Sequence, residues 1–357
     1  MNIFKMFELI THKANSSDNN DFPDNLEDFS PCPQINQLNI NYLVIAIIYS
    51  IVSILAVAGN SVVVMVILSA KYVRSSTDIY ILNLTLSDLL FAFTLPFWAV
   101  YIVDGWIFGN FMCKAISVLQ EVNFYSGILL LVCISVDRYL AIVCAIQYIS
   151  SKRYLVKYIC AAVWTVGIAL SLPILLFRSV FVTSDTNQTV CYNHSPKSSD
   201  NWRIGIRIVH HSIGFIIPLA IMLFCYGSTM KTLFRTRSHQ KHKAMKVIIA
   251  VVLGFLICWL PYNVTVCTDT LLRASLISDG CNFRTQFDRV FFATQSLAFM
   301  HCCINPILYA FIGQKFRHHL VNLLYDRRLI SQETATRYER TSAQGSGRES
   351  MYSSSTI

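Results

Sequence analysis

The sequence predicts an all-α membrane protein: a bundle of seven transmembrane helices with a short amphipathic eighth helix. Three observations carry that expectation. Of 357 residues, 54% are hydrophobic and only 14% charged, against about 25% charged in ordinary soluble domains. Long runs almost free of charge recur, from Tyr42 to Leu68, Leu89 to Val103, Ile116 to Val136, Tyr158 to Phe177, Ile208 to Met230 and Val247 to Cys267. Each approaches or exceeds the ~20 residues that cross ~30 Å of hydrocarbon. The segments between them differ systematically in charge, as the two sides of a membrane do.

Hydropathy places the spans at 40–68, 78–101, 111–142, 155–177, 204–234, 243–270 and 288–312. Before them lies an N-terminal tail, 1–39. It carries Glu8, Asp18, Asp21, Asp24, Glu27 and Asp28 against Lys5 and Lys13. Its first residues make no signal peptide, because the apolar stretch is short and broken by Lys5 and Glu8. The loops near 102–110, 178–203 and 271–287 are mixed in charge. The intervening loops are basic: Lys71 and Arg74, then Lys152, Arg153 and Lys157, then Lys231, Arg235, Arg237, Lys241, Lys243 and Lys246. The positive-inside bias puts the N-terminus outside and the C-terminus in the cytosol. After the seventh span, 313–325 reads as an amphipathic helix on the membrane surface, with Phe316, Leu320, Leu323 and Leu324 toward lipid and Lys315 and Arg317 toward headgroups. Residues 326–357 are rich in Ser, Thr, Arg and Glu and read as a disordered cytoplasmic tail.

These features bound the function. The net charge of +9 sits between apolar spans, so it serves membrane retention and argues against nucleic-acid binding. No nucleophile–base pair or metal-ligand cluster stands out, so the chain is expected not to be an enzyme and to need no cofactor. The usual pointers to a transporter, inverted repeats or paired broken spans, are absent.

Polar residues inside the spans mark function, because a charge there is costly unless hydrated, paired or ion-bound. Asp88 lies mid-span in NLTLSDLL, and Asn60 and Asn305 are also mid-span. Pro306 follows Asn305, and Pro96, Pro173, Pro218 and Pro261 interrupt four more spans. Such a bundle has bends and a polar interior. Asp137-Arg138-Tyr139 sits at the cytosolic end of span three, where the guanidinium can serve as a donor for a partner's carbonyls.

Gly59-Asn60, Leu84 with Asp88, Asp137-Arg138-Tyr139, Cys258-Trp259-Leu260-Pro261 and Asn305-Pro306-Ile307-Leu308-Tyr309 fall in order on spans one, two, three, six and seven. That set resembles the rhodopsin-like G-protein-coupled receptors over nearly the whole chain. Thr94-Leu95-Pro96, Trp106-Ile107-Phe108-Gly109 and DRYLAIV from Asp137 are similar to chemokine receptors. EVNFYSGILLLVCISVDRYLAIV, MLFCYG, CWLPYN and NPILYAFIGQKFRH are most similar to the interleukin-8 type of CXC receptor.

The resemblance assigns roles. Of twelve cysteines, Cys32, Cys113, Cys191 and Cys281 face outward, and four allow three connectivities. The resemblance implies Cys113 with Cys191 and Cys32 with Cys281. It implies a ligand site at Asp269, Arg178, Lys114, Arg203 and Arg207, for a chemokine whose N-terminus carries Glu-Leu-Arg. The acidic tail, with Asp24, Glu27 and Asp28, is the natural counterpart of a basic ligand. There are departures: the tail has no Tyr to sulfate, and Gln295 and Gln120 stand where relatives carry charge. Asp137, Arg138 and Tyr139 would couple to an inhibitory-class G protein. Trp259, Pro261, Tyr226, Asn305, Pro306 and Tyr309 would form the activation switch. Lys241 stands where some relatives carry an acid that locks Arg138, so restraint would come from Asp137 and packing alone. A sodium ion is the expected allosteric ligand, held by Asp88, Asn123 and Asn305, with Gly127 in place of a usual Ser.

Modification and docking expectations complete the reading. Asn15, Asn187 and Asn193 head glycan acceptor sequences, the last weakened by Pro196. Ser342, Ser346, Ser350, Ser353, Ser354 and Ser355 are expected phosphorylation sites for arrestin. Ser355 and Ile357 form a PDZ-type ending. The chain therefore reads as a plasma-membrane CXC chemokine receptor acting in leukocyte chemotaxis. A chemokine-scavenging receptor without G-protein signalling is the alternative, and a transporter is a remote one.

Overall fold

The computed structural model describes residues 42–69, 75–144, 153–182, 189–193, 200–234, 239–273, 281–312, 314–334, 336 and 337. Among them, seven helices are long and apolar enough to cross a membrane: Tyr42–Ser69, Ser76–Asp104, Gly109–Ile142, Tyr154–Phe177, Gly205–Thr232, Val252–Leu272 and Arg289–Leu308. They match the seven hydropathy spans. In span one, Tyr49, Ser53, Ala56, Asn60, Val63 and Ile67 are buried at helical spacing, while Leu43, Ile47, Ile51 and Ile54 remain on the outer surface. Leucine and isoleucine need no burial where the solvent is hydrocarbon. The inward stripe is instead set by close packing and polar contacts.

Span two begins with a capping box. The Ser75 side chain accepts from the Asp78 N–H, and the Asp78 carboxylate accepts from the Ser75 N–H at 2.7 Å. This satisfies orphan donors at the helix start. The span ends at Gly105, whose φ of 79° suits glycine, and Trp106 N–H then donates to Thr189 O at 2.8 Å.

The prolines free carbonyls, and neighbouring side chains take two of them. Pro96 cannot donate to Ala92, whose carbonyl accepts from Ser53 Oγ at 2.9 Å. Pro306 cannot donate to Cys302, whose carbonyl accepts from Asn60 Nδ2 at 2.8 Å. Helices in lipid tolerate proline only where such partners exist. In span seven the donor comes from Asn60 of span one.

Four features correct the linear reading. The segment read as a loop over 178–203 contains an antiparallel hairpin, β1 (Arg178–Val182) with β2 (Thr189–Asn193), and Val180 opposes Cys191. Span five starts early, at Asp200, and carries a π-helical turn over Ser212–Ile216 just before Pro218. Span seven consists of Cys281–Phe299 and His301–Ile312. Its discontinuity is at Met300, where bonds from Met300 N to Leu297 O and Cys303 N to Met300 O skip only three residues, while Pro306 lies within the second helix. The eighth helix runs Gln314–Asp326.

Two apolar clusters fill the bundle. The outer one holds Trp98, Tyr101, Trp106, Phe91 and Phe299, and the inner one Tyr80, Phe124, Ile128, Leu131, Phe255 and Trp259. Two glycines permit the closest contacts. A Cβ on Gly59 would lie 2.9 Å from Pro306 Cβ, and one on Gly214 would lie 2.5 Å from Phe124 Cε1.

Candidate functional site

At the mouth, Cys113 of span three is bonded to Cys191 of β2. The hairpin is thereby tied to the start of span three, and Val180 N–H donates to Asn110 Oδ1 at 3.2 Å. Trp106, 1% exposed, donates its Nε1–H to Gly109 O at 2.8 Å and touches Trp98, Tyr101 and Phe108. This aromatic knot fixes the rim. The pairing of Cys32 with Cys281 lies outside the described side chains, as do Arg203, Asp24, Glu27 and Asp28.

Below the rim, four of the expected ligand residues are anchored. Arg207 of span five forms a charged pair with Asp269 of span six, with Asp269 fully buried and Arg207 part-exposed. Lys114 Nζ donates to Leu175 O at 2.7 Å, and the Arg178 guanidinium lies 5.8 Å from the centre of the Trp98 ring. Buried charges stabilise only when paired, so the Arg207–Asp269 contact links spans five and six through charge.

Deeper, rings form a continuous path. His210 stacks on Phe124 at 4.4 Å, Phe124 meets Trp259 at 4.8 Å, and Trp259 meets His301 at 5.2 Å. His301 Nε2 stands 3.7 Å from Asp88 Oδ1, while Asn305 Nδ2 donates to Asp88 Oδ2 at 2.8 Å. Spans two, three, five, six and seven thus meet along one line, and Trp259 is at its centre.

Of the expected sodium ligands, Asp88 and Asn305 are together. Asn123 donates instead to Ser87 Oγ at 3.0 Å, and Ser87 and Ser126 hydroxyls are 2.8 Å apart. Asn60 donates to Ala56 O and Cys302 O. The carboxylate's second oxygen faces His301.

At the inner end, Arg138 Nη2 is 3.0 Å from Asp137 Oδ2 and also donates to Thr77 Oγ1 of span two. That corrects the expectation of restraint by Asp137 and packing alone: a hydroxyl on the neighbouring helix shares the guanidinium. Tyr139 meets the Phe224 ring at 5.6 Å, and Tyr226 packs on the inner cluster. The side chains of Tyr309 and Lys241 lie outside the description. So do Asn15 and Asn187, the Asn193 side chain and all six expected phosphoserines.

Sequence reasoning missed Glu121, His210, His301 and Thr77. Glu121 is an acid inside the Ile116–Val136 run, and His210 and His211 are adjacent imidazoles inside span five. Applied to every ionisable group rather than to Asp88 alone, the cost of charge in a membrane would have flagged them. Glu121 Oε2 is 3.3 Å from His210 Nδ1, and Tyr125 OH is 3.4 Å from the same nitrogen.

Comparison with known proteins is consistent with this geometry. Residues 59–309 match the family model described as 7 transmembrane receptor (rhodopsin family). The chain is 51% identical over 333 residues to C-X-C chemokine receptor type 2 of Macaca mulatta, covering 93% of this chain and 94% of that one. It is 51% identical over 333 residues to the Homo sapiens type 2 receptor. Against the Homo sapiens type 1 receptor it is 51% identical over 316 residues, covering 88% of this chain and 90% of that one.

Proposed function

The chain belongs to the rhodopsin family of seven-transmembrane receptors, among the CXC chemokine receptors, and from that premise we propose how it works. It binds a CXC chemokine of the Glu-Leu-Arg kind at the plasma membrane, signals through an inhibitory-class G protein and directs leukocyte chemotaxis. The ligand engages the disulfide-tied rim and the charged groups beneath it. Arg207 and Asp269 offer both signs of charge in a partly dried pocket, where charge counts more than at the surface. A shift of span five or six there moves the rings on Trp259, two residues before Pro261, and span six carries the shift inward.

The observation that carries the signalling reading is Arg138. It is held by Asp137 and Thr77, contacts that can be exchanged for a partner's carbonyls when the helices part. A scavenging receptor has no need of that group. Sodium enters the proposal as an allosteric ligand of the resting bundle, supplying a counter-charge to Asp88, with Asn305 beside it. Phosphoserines from Ser342 to Ser355 would engage arrestin, the Ser355–Ile357 ending a PDZ scaffold, and the eighth helix lipid headgroups.

The test is a panel of purified CXC chemokines assayed for nucleotide exchange on an inhibitory-class G protein. A member of the panel should drive exchange on the wild type. In Arg138→Ala the same chemokine should still bind while exchange is abolished. Intact exchange in that variant would overturn the role of Arg138, and no response on the wild type would overturn the chemokine reading.

A further inference from the structure

Glu121 and Asp269 both place a carboxylate in the outer part of the bundle, but they differ in what faces them. Asp269 is fully buried beside the guanidinium of Arg207, so its charge is matched. Glu121 faces the imidazole of His210, and the two side chains remain 29% and 20% exposed. A carboxylate is strongly disfavoured against hydrocarbon. The partner of Glu121, His210, belongs to span five and stacks on Phe124 of span three, which meets Trp259 of span six, so the carboxylate lies where spans three, five and six come together.

The depth of the site can be worked out. Glu121 lies eight residues beyond Cys113 on one continuous helix, about 12 Å at 1.5 Å per residue. An extended chain covers that distance in about four residues. Among the described residues, three cations above it are drawn aside: Lys114 by the Leu175 carbonyl, Arg178 by Trp98 and Arg207 by Asp269.

We propose that Glu121, with His210 beside it, is a cation-accepting subsite at the floor of the ligand pocket. It takes an ammonium or guanidinium group about four residues inward of the ligand's contact with the Cys113–Cys191 rim. This rests on the reading of the chain as a receptor for a protein ligand. The subsite is coupled to activation by geometry. A cation that takes the Glu121 oxygen releases His210, whose ring is stacked on Phe124, and Phe124 rests on Trp259.

The test has two arms on the purified full chain. In the first, His210→Cys is treated with cationic 2-aminoethyl and anionic 2-sulfonatoethyl methanethiosulfonate, and labelling at 210 is followed by peptide mass spectrometry. The cationic reagent should react more than tenfold faster, and adding Glu121→Gln should cut that preference at least tenfold while Glu121→Asp keeps it. An unchanged preference in Glu121→Gln overturns the subsite. In the second arm, the chemokine that activates the wild type is compared with a form whose amino-terminal basic residues are changed to Gln. The wild type should lose at least tenfold in affinity and Glu121→Gln should lose almost nothing; equal losses overturn the proposal. A charge preference without any chemokine binding would overturn the chemokine reading alone.

Discussion

Replacing Asn60 with Ala should destabilise the bundle through one specific carbonyl. Asn60 is fully buried and donates to Ala56 O at 2.9 Å and Cys302 O at 2.8 Å. The Ala56 carbonyl sits in a continuous helix and retains its helical donor. Cys302 O has no helical donor, because residue 306 is proline. Side-chain hydrogen bonds between membrane helices average about 0.6 kcal/mol, with a maximum of about 1.7, because the unfolded state in the membrane also finds partners. An orphaned buried carbonyl costs about 1–3 kcal/mol. Proline removes the helical donor in both states, so the larger value governs, and the expected loss is about 1.5 kcal/mol. The control is Pro306→Ala, which supplies the missing N–H within His301–Ile312. In that background Asn60→Ala should cost less than half as much. The assay is reversible unfolding of the purified receptor in micelles, with all four members of the double-mutant cycle. Losses that simply add would refute the account.

Three further outcomes follow from the same contacts. Gly214→Ala places a methyl within 2.5 Å of Phe124 Cε1 and should lower stability by about 1–3 kcal/mol, with Phe124→Leu relieving most of the loss in a melting assay. Cys191→Ser should remove chemokine binding and reduce surface delivery, since losing a native bridge costs about 2–5 kcal/mol in small domains; normal binding on flow cytometry would count against the rim's role. Raising sodium should lower agonist affinity in the wild type by linkage and leave Asp88→Asn unaffected in radioligand competition. Equal sodium dependence in both would remove the site.

Much of this was legible in one dimension. A helix in lipid satisfies its backbone bonds within its own segment, so apolar length alone locates spans such as Tyr42–Ser69, and loop charge alone orients them. The helix Gln314–Asp326 was readable from its apolar positions at helical spacing. Asp88 and Asn305 were flagged as costly mid-span groups, and the family resemblance put them together in one expected sodium site. What hydropathy could not see was partnership. The π turn at Ser212–Ile216, the hairpin opposite Asn110 and the discontinuity at Met300 depend on packing against other segments.

From the chain alone came the number of crossings, their direction, and the need of mid-span groups such as Asp88 for partners. What those partners are is settled by packing between spans. Asn60 and Cys302, 242 residues apart, meet because Gly59 lets spans one and seven approach and Pro306 leaves a carbonyl to be filled. Asn123 turned to Ser87, His301 came to Asp88, and Glu121 found His210. A hydrogen bond across helices depends on interhelical distance and rotation, and those are set by the summed packing of every span rather than by any local run of residues.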